Sequence, residues 1–305
     1  MSSECTTSTV EFACPVCHGS LKKDERGWQC GSCTKSYETA ALGYTDFLEG
    51  AGFADEDNVE RALHEEKTAE VTMTGYLIPL LNKLFPGAPT GSVRVLDVGC
   101  GVARSIDLLR EAGYDAWGVD SGHRAVHWPR RKFPQNLVIA NGQSMPFPDD
   151  TFDFIFSAGV LEHVGCDGDA RSPSPGYEQP RLDYVAGSVR VTRRGGLINY
   201  TGPNRLFPFD LFHRNTEGNP FRFHWPWDPF LQSMKDFRYL FVEQCGCESL
   251  RALPIRGYWG FLRLNKTLTQ RLGCKAANLY FNTIGSWPLL RGSFANPWLS
   301  VLVKK

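Results

Sequence analysis

Two groups of residues have the types and spacing that chemistry needs. The first lies in Val95-Leu96-Asp97-Val98-Gly99-Cys100-Gly101-Val102-Ala103-Arg104, an apolar run that breaks at a glycine turn and passes into a helical pattern. Glycines let a backbone approach a ligand closely, and the first turn of the following helix offers unpaired N–H groups. That combination suits a nucleotide. Asp97, two residues before Gly99, would repel a pyrophosphate but can pair with a cationic amino-acid group. Asp120 follows about twenty residues later, where an acid can accept both hydroxyls of a ribose. Ala103 and the Gly-x-Gly spacing depart from the dinucleotide fingerprint.

The second group is Cys14-Pro-Val-Cys17, then twelve residues, then Cys30-Gly-Ser-Cys33. Two such knuckles present four thiolates in the tetrahedral arrangement that zinc prefers. Four thiolates leave no open position for water, so Cys14, Cys17, Cys30 and Cys33 predict structural zinc, not a catalytic centre. So short a segment has too little core to fold unaided, and metal binding would supply folding free energy. The other cysteines (Cys5, Cys100, Cys166, Cys245, Cys247 and Cys274) have no framework spacing and read as reduced thiols.

The elements around these groups follow from hydrophobic periodicity. Residues 1–48 read as a zinc ribbon with an exit strand over Leu42 to Leu48, and residues 49–91 as a linker and helix. Within the latter, Ala51 to Asn58 is acidic and loop-like. Helical character runs from Val59 to Phe85, with an apolar stripe at Leu77, Leu80, Leu81 and Leu84 that ends at Pro86-Gly87. From Ser92 the pattern alternates. Strands are expected at Val93–Val98, ending at Trp117–Asp120, at Leu137–Ala140, Phe152–Ser157 and Leu197–Thr201. Helices are expected at Arg104–Glu111, at His123–Phe133 with an interruption near Pro129, and at Arg181–Thr192. Such alternation predicts an α/β fold, a Rossmann-like, seven-stranded, mostly parallel sheet with helices on both faces. Two last strands, Ser249–Pro254 and Trp298–Val303, flank a helical stretch over 256–290. The main domain is thus 92–305, with an aromatic insert at about 203–245.

Composition narrows the function classes. The chain has 305 residues, 42% hydrophobic and 22% charged, with 33 basic and 33 acidic side chains. This balance disfavours nucleic acid, whose backbone selects a basic excess. No uncharged run reaches the ~18 residues of a membrane span, and no apolar leader follows Met1. The expectation is a cytoplasmic chain with no membrane insertion. Oligomeric state is left open.

Together the motifs resemble class I S-adenosylmethionine-dependent methyltransferases. The resemblance rests on Val95 to Gly101, Gly118-Val119-Asp120, Asn141 to Asp153, Leu161-Glu162-His163-Val164 and Arg193 to Leu197, in the family's order and spacing. It covers about residues 92–204 and speaks to fold and cofactor more than to the acceptor. It implies that S-adenosylmethionine is bound with Asp97, Gly99, Cys100 and Gly101 at its methionine end. Asp120 would hold the ribose, Ser121 would lie beside the adenine, and Asn141, Gly142 and Gln143 would flank that ring. Ser157 and Gly159 would close the pocket. Quinone-type relatives place Glu-x-x-Glu-His after the fourth strand and bind a divalent metal. Gly159 replaces the first acid here, so no catalytic metal is expected.

For a hydroxyl acceptor a base is needed, and His163, His213 and His224 are the candidates. Phe221, Phe223, Trp225 and Trp227 alternate at period two and can stack a flat ring or a sugar face. The reading is transfer of a methyl group to a small-molecule acceptor, a hydroxyl of a sugar or secondary metabolite. Two alternatives stand beside it. One is a ribosomal or transfer RNA methyltransferase, since some of these carry a similar ribbon. The other is a non-catalytic protein that docks partners through the ribbon.

Overall fold

The computed structural model describes residues 10–39, 44–48, 59–122, 124–167, 172–213, 222–257 and 268–305. The cysteine segment folds as a three-stranded antiparallel sheet of β1 (Leu21–Lys23), β2 (Gly27–Cys30) and β3 (Ser36–Glu38). Helix α1 (Val59–Thr72) continues through a π-helical turn, Met73–Leu77, into α2 (Ile78–Leu84). The helix expected over 59–85 is therefore interrupted. Gly75 sits in the irregular turn, and a Cβ there would lie 2.7 Å from the Gly257 carbonyl.

The main sheet contains β4 (Arg94–Val98), β5 (Asp115–Asp120), β6 (Leu137–Ile139), β7 (Phe152–Ala158), β8 (Thr192–Pro203), β11 (Ser249–Ala252) and β12 (Trp298–Lys304). Helices α3 (Arg104–Glu111) and α4 (Glu178–Val191) cross between its strands. The short pair β9 (Phe209–Asp210) and β10 (Arg222–Phe223) and helix α5 (Met234–Phe237) belong to the insert, and α6 (Leu268–Ser286) follows β11. Strand order is β11-β12-β8-β7-β4-β5-β6, parallel except at β12, which runs antiparallel to both neighbours. The seven-stranded, mostly parallel Rossmann-like fold expected from the alternation is the one observed. The order reverses between β4 and β7, and such a switch point opens a crevice at the carboxyl ends of the strands.

Three local expectations need correction. The helix expected over 123–133 is instead a pair of 3₁₀ turns, Ala125–Arg130 and Pro134–Asn136; Pro129 and Pro134 withhold the N–H groups an α-helix needs. His123 lies outside the described residues. Strand β8 begins at Thr192, five residues earlier than expected, and α4 starts at Glu178. The loop over Ala51 to Asn58 and residues 42–43 of the exit strand lie outside the described part, as do 258–267 of the last helical stretch.

The cysteine segment is not a separate bead. Thr45 and Phe47 pair with the outer edge of β6: Phe47 N donates to the Ile139 carbonyl (2.9 Å) and Ile139 N to the Thr45 carbonyl (3.2 Å). Ala13 N donates to the Pro146 carbonyl (3.1 Å). Val10, Cys14, Cys30, Tyr37 and Phe47 share one buried core with Trp117, Val119, Val138 and Phe147. Phe12 bridges the two parts, its ring 5.1 Å from Trp28, 6.3 Å from Trp117 and 5.8 Å from Phe147. Pairing along β6 also covers a strand edge that would otherwise be open to other chains.

Candidate active site

A cleft of about 200 Å³ opens over the carboxyl ends of β4, β5 and β6. Its polar lining is Asp120, Ser121, Asn141 and His163. Val98, Gly99, Val119, Ala140, Gly142, Val160, Val164 and Tyr184 supply the rest. The glycine turn is shaped for close approach. Gly99 has φ +84°, and a Cβ there would lie 2.4 Å from Val160 Cγ2, so only glycine fits between turn and wall. Gly101 N donates to Asp120 Oδ2 (2.9 Å), and Trp128 Nε1 donates to the Gly101 carbonyl (2.8 Å). The turn is therefore tied to the end of β5.

The residues named from sequence divide here. Gly99, Asp120, Ser121, Asn141 and Gly142 line the cleft, whereas Asp97, Cys100, Gly101, Gln143, Ser157 and Gly159 do not. Cys100 is buried, its sulfur packed against β5 at Gly118. Ser157 lies in the core with Oγ 3.1 Å from the Tyr184 hydroxyl. The Asn141 side-chain oxygen accepts Gln143 N–H (2.9 Å), so it serves its own turn. Asp120 likewise commits one oxygen to Gly101. Asp97 is 5% exposed and accepts a 2.5 Å hydrogen bond from Ser105 Oγ. Burial pushes its carboxyl up to about 7, against the pull of Ser105 and with a further push from the Asp120 charge.

Tyr184 was not expected. It stands on the buried side of α4, donates to the Val98 carbonyl (3.3 Å) and presses its ring where a Gly142 side chain would be, a Cβ falling 2.1 Å from Tyr184 Cε2. Nothing local to α4 in the sequence marks it, because its role depends on which sheet face the helix covers.

Beyond the cleft, the turn after β7 and the insert converge. His163 Nε2 lies 3.1 Å from His213 Nε2. His213 Nδ1 lies 2.7 Å from Asp210 Oδ2, and Asp210 Oδ1 accepts the Phe212 and His213 amides. Burial opposes ionisation of Asp210, but the His213 hydrogen bond and charge and these amides outweigh it and hold the carboxyl below its usual value. Glu162 is 1% exposed, and burial raises its carboxyl. The ring of buried Phe230 backs both imidazoles, 5.3 Å from His163 and 4.9 Å from His213.

Arg181, 5% exposed, fastens the parts together: it donates to the carbonyls of Glu162 (2.9 Å), Val164 (3.1 Å), Pro229 (2.7 Å) and Phe230 (3.2 Å). His224 is buried beside Pro208 and Trp225, apart from the cluster. Phe223, Trp225 and Trp227 are exposed, the two indoles stacked at 5.3 Å, and Phe221 lies outside the described residues.

At the other end, the four cysteine sulfurs lie within 4.8 Å of one another. Cys14 and Cys33 approach to 3.6 Å and Cys17 and Cys30 to 3.4 Å. A zinc ion with ~2.3 Å bonds to sulfur sets tetrahedral ligands about 3.7 Å apart. The donor set and its spacing fit that ion.

Residues 96–198 match the family model described as a methyltransferase domain. The match covers about a third of the chain. Over 130 residues the chain is 28% identical to a "Probable S-adenosylmethionine-dependent methyltransferase" of Mycolicibacterium smegmatis, covering 42% of this chain and 44% of that protein. It is 35% identical over 114 residues to an "Uncharacterized methyltransferase" of Mycobacterium sp. strain JLS, covering 36% and 40%. The chain thus spans less than half the length of these relatives. The solved structure of a SAM dependent methyltransferase from Archaeoglobus fulgidus is 17% identical, with TM-score 0.43, covering 75% of this chain and 93% of that one. The matched segment contains the cleft residues, His163, Arg181 and Tyr184; the cysteine segment and the insert with His213 lie outside it. No helix among the described residues is long and apolar enough to cross a membrane.

Proposed function

We propose that the chain is an S-adenosylmethionine-dependent methyltransferase acting on a hydroxyl of a small molecule, a sugar or secondary metabolite, with zinc in its cysteine ribbon. One observation carries this reading: a glycine-turn cleft at the sheet's switch point, lined by His163, which is in turn in contact with His213. S-adenosylmethionine, when bound, supplies a methyl already activated on sulfur. The other tasks fall to the chain. Gly99 and Gly142 leave room for close contact, and Asp120 offers a carboxylate at the ribose position. Asp97 supplies a buried acid behind the turn that a cationic ligand would ionise. Val160 and Val164 form an apolar wall that helps exclude water. The acceptor hydroxyl meets the Glu162, His163 and His213 cluster, where it gives up its proton. Asp210 orients His213 from behind, leaving Nε2 facing inward.

The test is incubation of the purified chain with methyl-labelled S-adenosylmethionine and separate pools of hydroxylated small molecules and RNA. Label in an organic-extractable or sugar product is the expected result. Label retained on RNA would reject the small-molecule reading. Absence of transfer, with no cofactor binding in calorimetry, would reject the enzyme reading.

A further inference from the structure

The cluster beside the cleft has a geometry that a proton acceptor alone does not require. Glu162, His163 and His213 each bring one donor atom to a single point, all within 4.8 Å of one another. Glu162 Oε1 is buried and has no hydrogen-bond partner among the described residues. An unmet buried carboxylate oxygen is costly unless a cation reaches it. His213 Nδ1 faces the Asp210 carboxylate, so the tautomer that donates there leaves its lone pair on Nε2, which faces His163 Nε2. Two imidazole nitrogens 3.1 Å apart must share either a proton or a cation.

The distances favour the cation. A divalent metal with bonds of about 2.1 Å to nitrogen or oxygen puts neighbouring ligands ~3.0–3.4 Å apart and opposite ones about 4.2 Å apart. The imidazole nitrogens fall in the first range, and the 4.0 Å from His213 Nε2 to Glu162 Oε1 falls close to the second. The support behind the ligands is also that of a metal site. A ligating imidazole commonly donates its other ring hydrogen to a carboxylate, as His213 does to Asp210. Arg181 pins the Glu162 and Val164 carbonyls, and Phe230 closes the rear of both rings.

We infer that Glu162, His163 and His213 bind a divalent first-row transition ion at the edge of the cleft, a second metal site besides the cysteine ribbon. Two imidazoles and one carboxylate select such an ion over magnesium or calcium, which prefer all-oxygen shells. Three protein ligands leave coordination positions open, and His163 lines the cleft, so the open positions face it. The role assigned to the ion rests on the proposed methyltransferase reading. It takes the acceptor's hydroxyl oxygen as a ligand and lowers that hydroxyl's pKa, so the proton leaves to solvent and neither imidazole has to carry it. The acceptors this suits have an ionisable hydroxyl, with or without a neighbouring oxygen able to chelate. The ligand set joins the methyltransferase domain to the insert, since His213 comes from beyond β9.

Cobalt(II) titration of the metal-stripped full chain tests this, using visible absorption, metal content by mass spectrometry and calorimetric S-adenosylmethionine binding on one preparation. The intact chain is expected to take up two equivalents. One shows the thiolate-to-cobalt charge-transfer band of the ribbon, and the other shows only weak bands of a nitrogen and oxygen site. His213→Ala and the near-isosteric Glu162→Gln should each lose the second equivalent and keep the first, with unfolding midpoints recorded to establish that the fold survives. A single equivalent in the intact chain, or two retained in both variants, overturns the site. Loss of both equivalents in His213→Ala alone marks a folding failure of that variant, and Glu162→Gln then decides. Cofactor binding without the second equivalent sinks the metal site and spares the methyltransferase reading; the second equivalent without cofactor binding does the reverse.

Discussion

Asp97→Asn separates what the cleft needs from what the fold prefers. The Asp97 carboxyl is raised from 3.8 to about 7 because burial, with the Asp120 charge nearby, outweighs the Ser105 hydrogen bond. A raised carboxyl pKa means that the folded chain holds a proton the unfolded chain releases. Stability from this group is therefore complete below pH ~3.8, falls as pH rises from about 4 to 7, and is gone above that. A displacement of roughly three units at ~1.4 kcal/mol each gives about 4 kcal/mol, the extra cost of the ionised form at pH 8. An amide keeps the shape and can still accept from Ser105, but it never ionises. In the ligand-free protein the variant should match the parent near pH 4 and exceed it by up to about 4 kcal/mol at pH 8. Urea unfolding at half-unit steps from pH 4.5 to 8.5 measures the difference. The same variant should bind S-adenosylmethionine at least tenfold more weakly, because a cationic ligand is what offsets a carboxylate the bare fold disfavours. A stability difference independent of pH would refute the burial argument. Unchanged cofactor affinity would show that the acid is packing and nothing more.

Chelation or Cys30→Ser should loosen residues 10–39 and, through Thr45 and Phe47 on β6, also weaken S-adenosylmethionine binding several-fold, read by hydrogen exchange at Ile139 and by calorimetry; unchanged exchange there would show that the ribbon is only appended. Gly99→Ala combines a left-handed backbone with a clash against Val160 and should cost about 2 kcal/mol or more, with loss of cofactor binding, checked by thermal unfolding and titration. Tyr184→Phe should cost about 1 kcal/mol by removing the bond to the Val98 carbonyl, with cofactor affinity within threefold of the parent because the ring still fills the space beside Gly142. Arg181→Met should abolish the second cobalt equivalent even in molecules that remain folded by circular dichroism, since four carbonyls from two segments lose their common donor.

The parts legible in the sequence are those encoded over short distances. Val95 to Arg104 writes a strand, a turn and a helix in consecutive residues, and the four cysteines state their own spacing. Alternation then implied the parallel sheet. In the stretch 125–136 the break near Pro129 was legible but its extent was not: with Pro129 and Pro134 both lacking an N–H, 3₁₀ turns replace the helix altogether. Side-chain direction at the ends of strands was also hidden: Cys100 and Ser157 occupy motif positions yet face the core. The meeting of His163 with His213, fifty positions apart, depends on how the insert folds back, which no local pattern records. Asp210 and His213, three apart, were the available clue, a carboxylate within reach of an imidazole on one turn. The attachment of the ribbon was equally hidden, because Thr45 and Phe47 declare a partner only once the free edge of β6 is known.

Arg181 shows why the insert cannot be treated as a loose lid. A guanidinium taken out of water costs several kcal/mol unless its hydrogens are met, and here carbonyls from residues 162, 164, 229 and 230 meet them. An apolar side chain of similar volume would avoid that desolvation but would leave these four carbonyls without their common donor. Arginine also sets position. The planar fork fixes the turn carrying Glu162 and His163 against Pro229 and Phe230, and Phe230 in turn backs both imidazoles. The donor atoms are thus spaced by a side chain that touches none of them, and the insert is registered to the main sheet's turn after β7 through backbone oxygens.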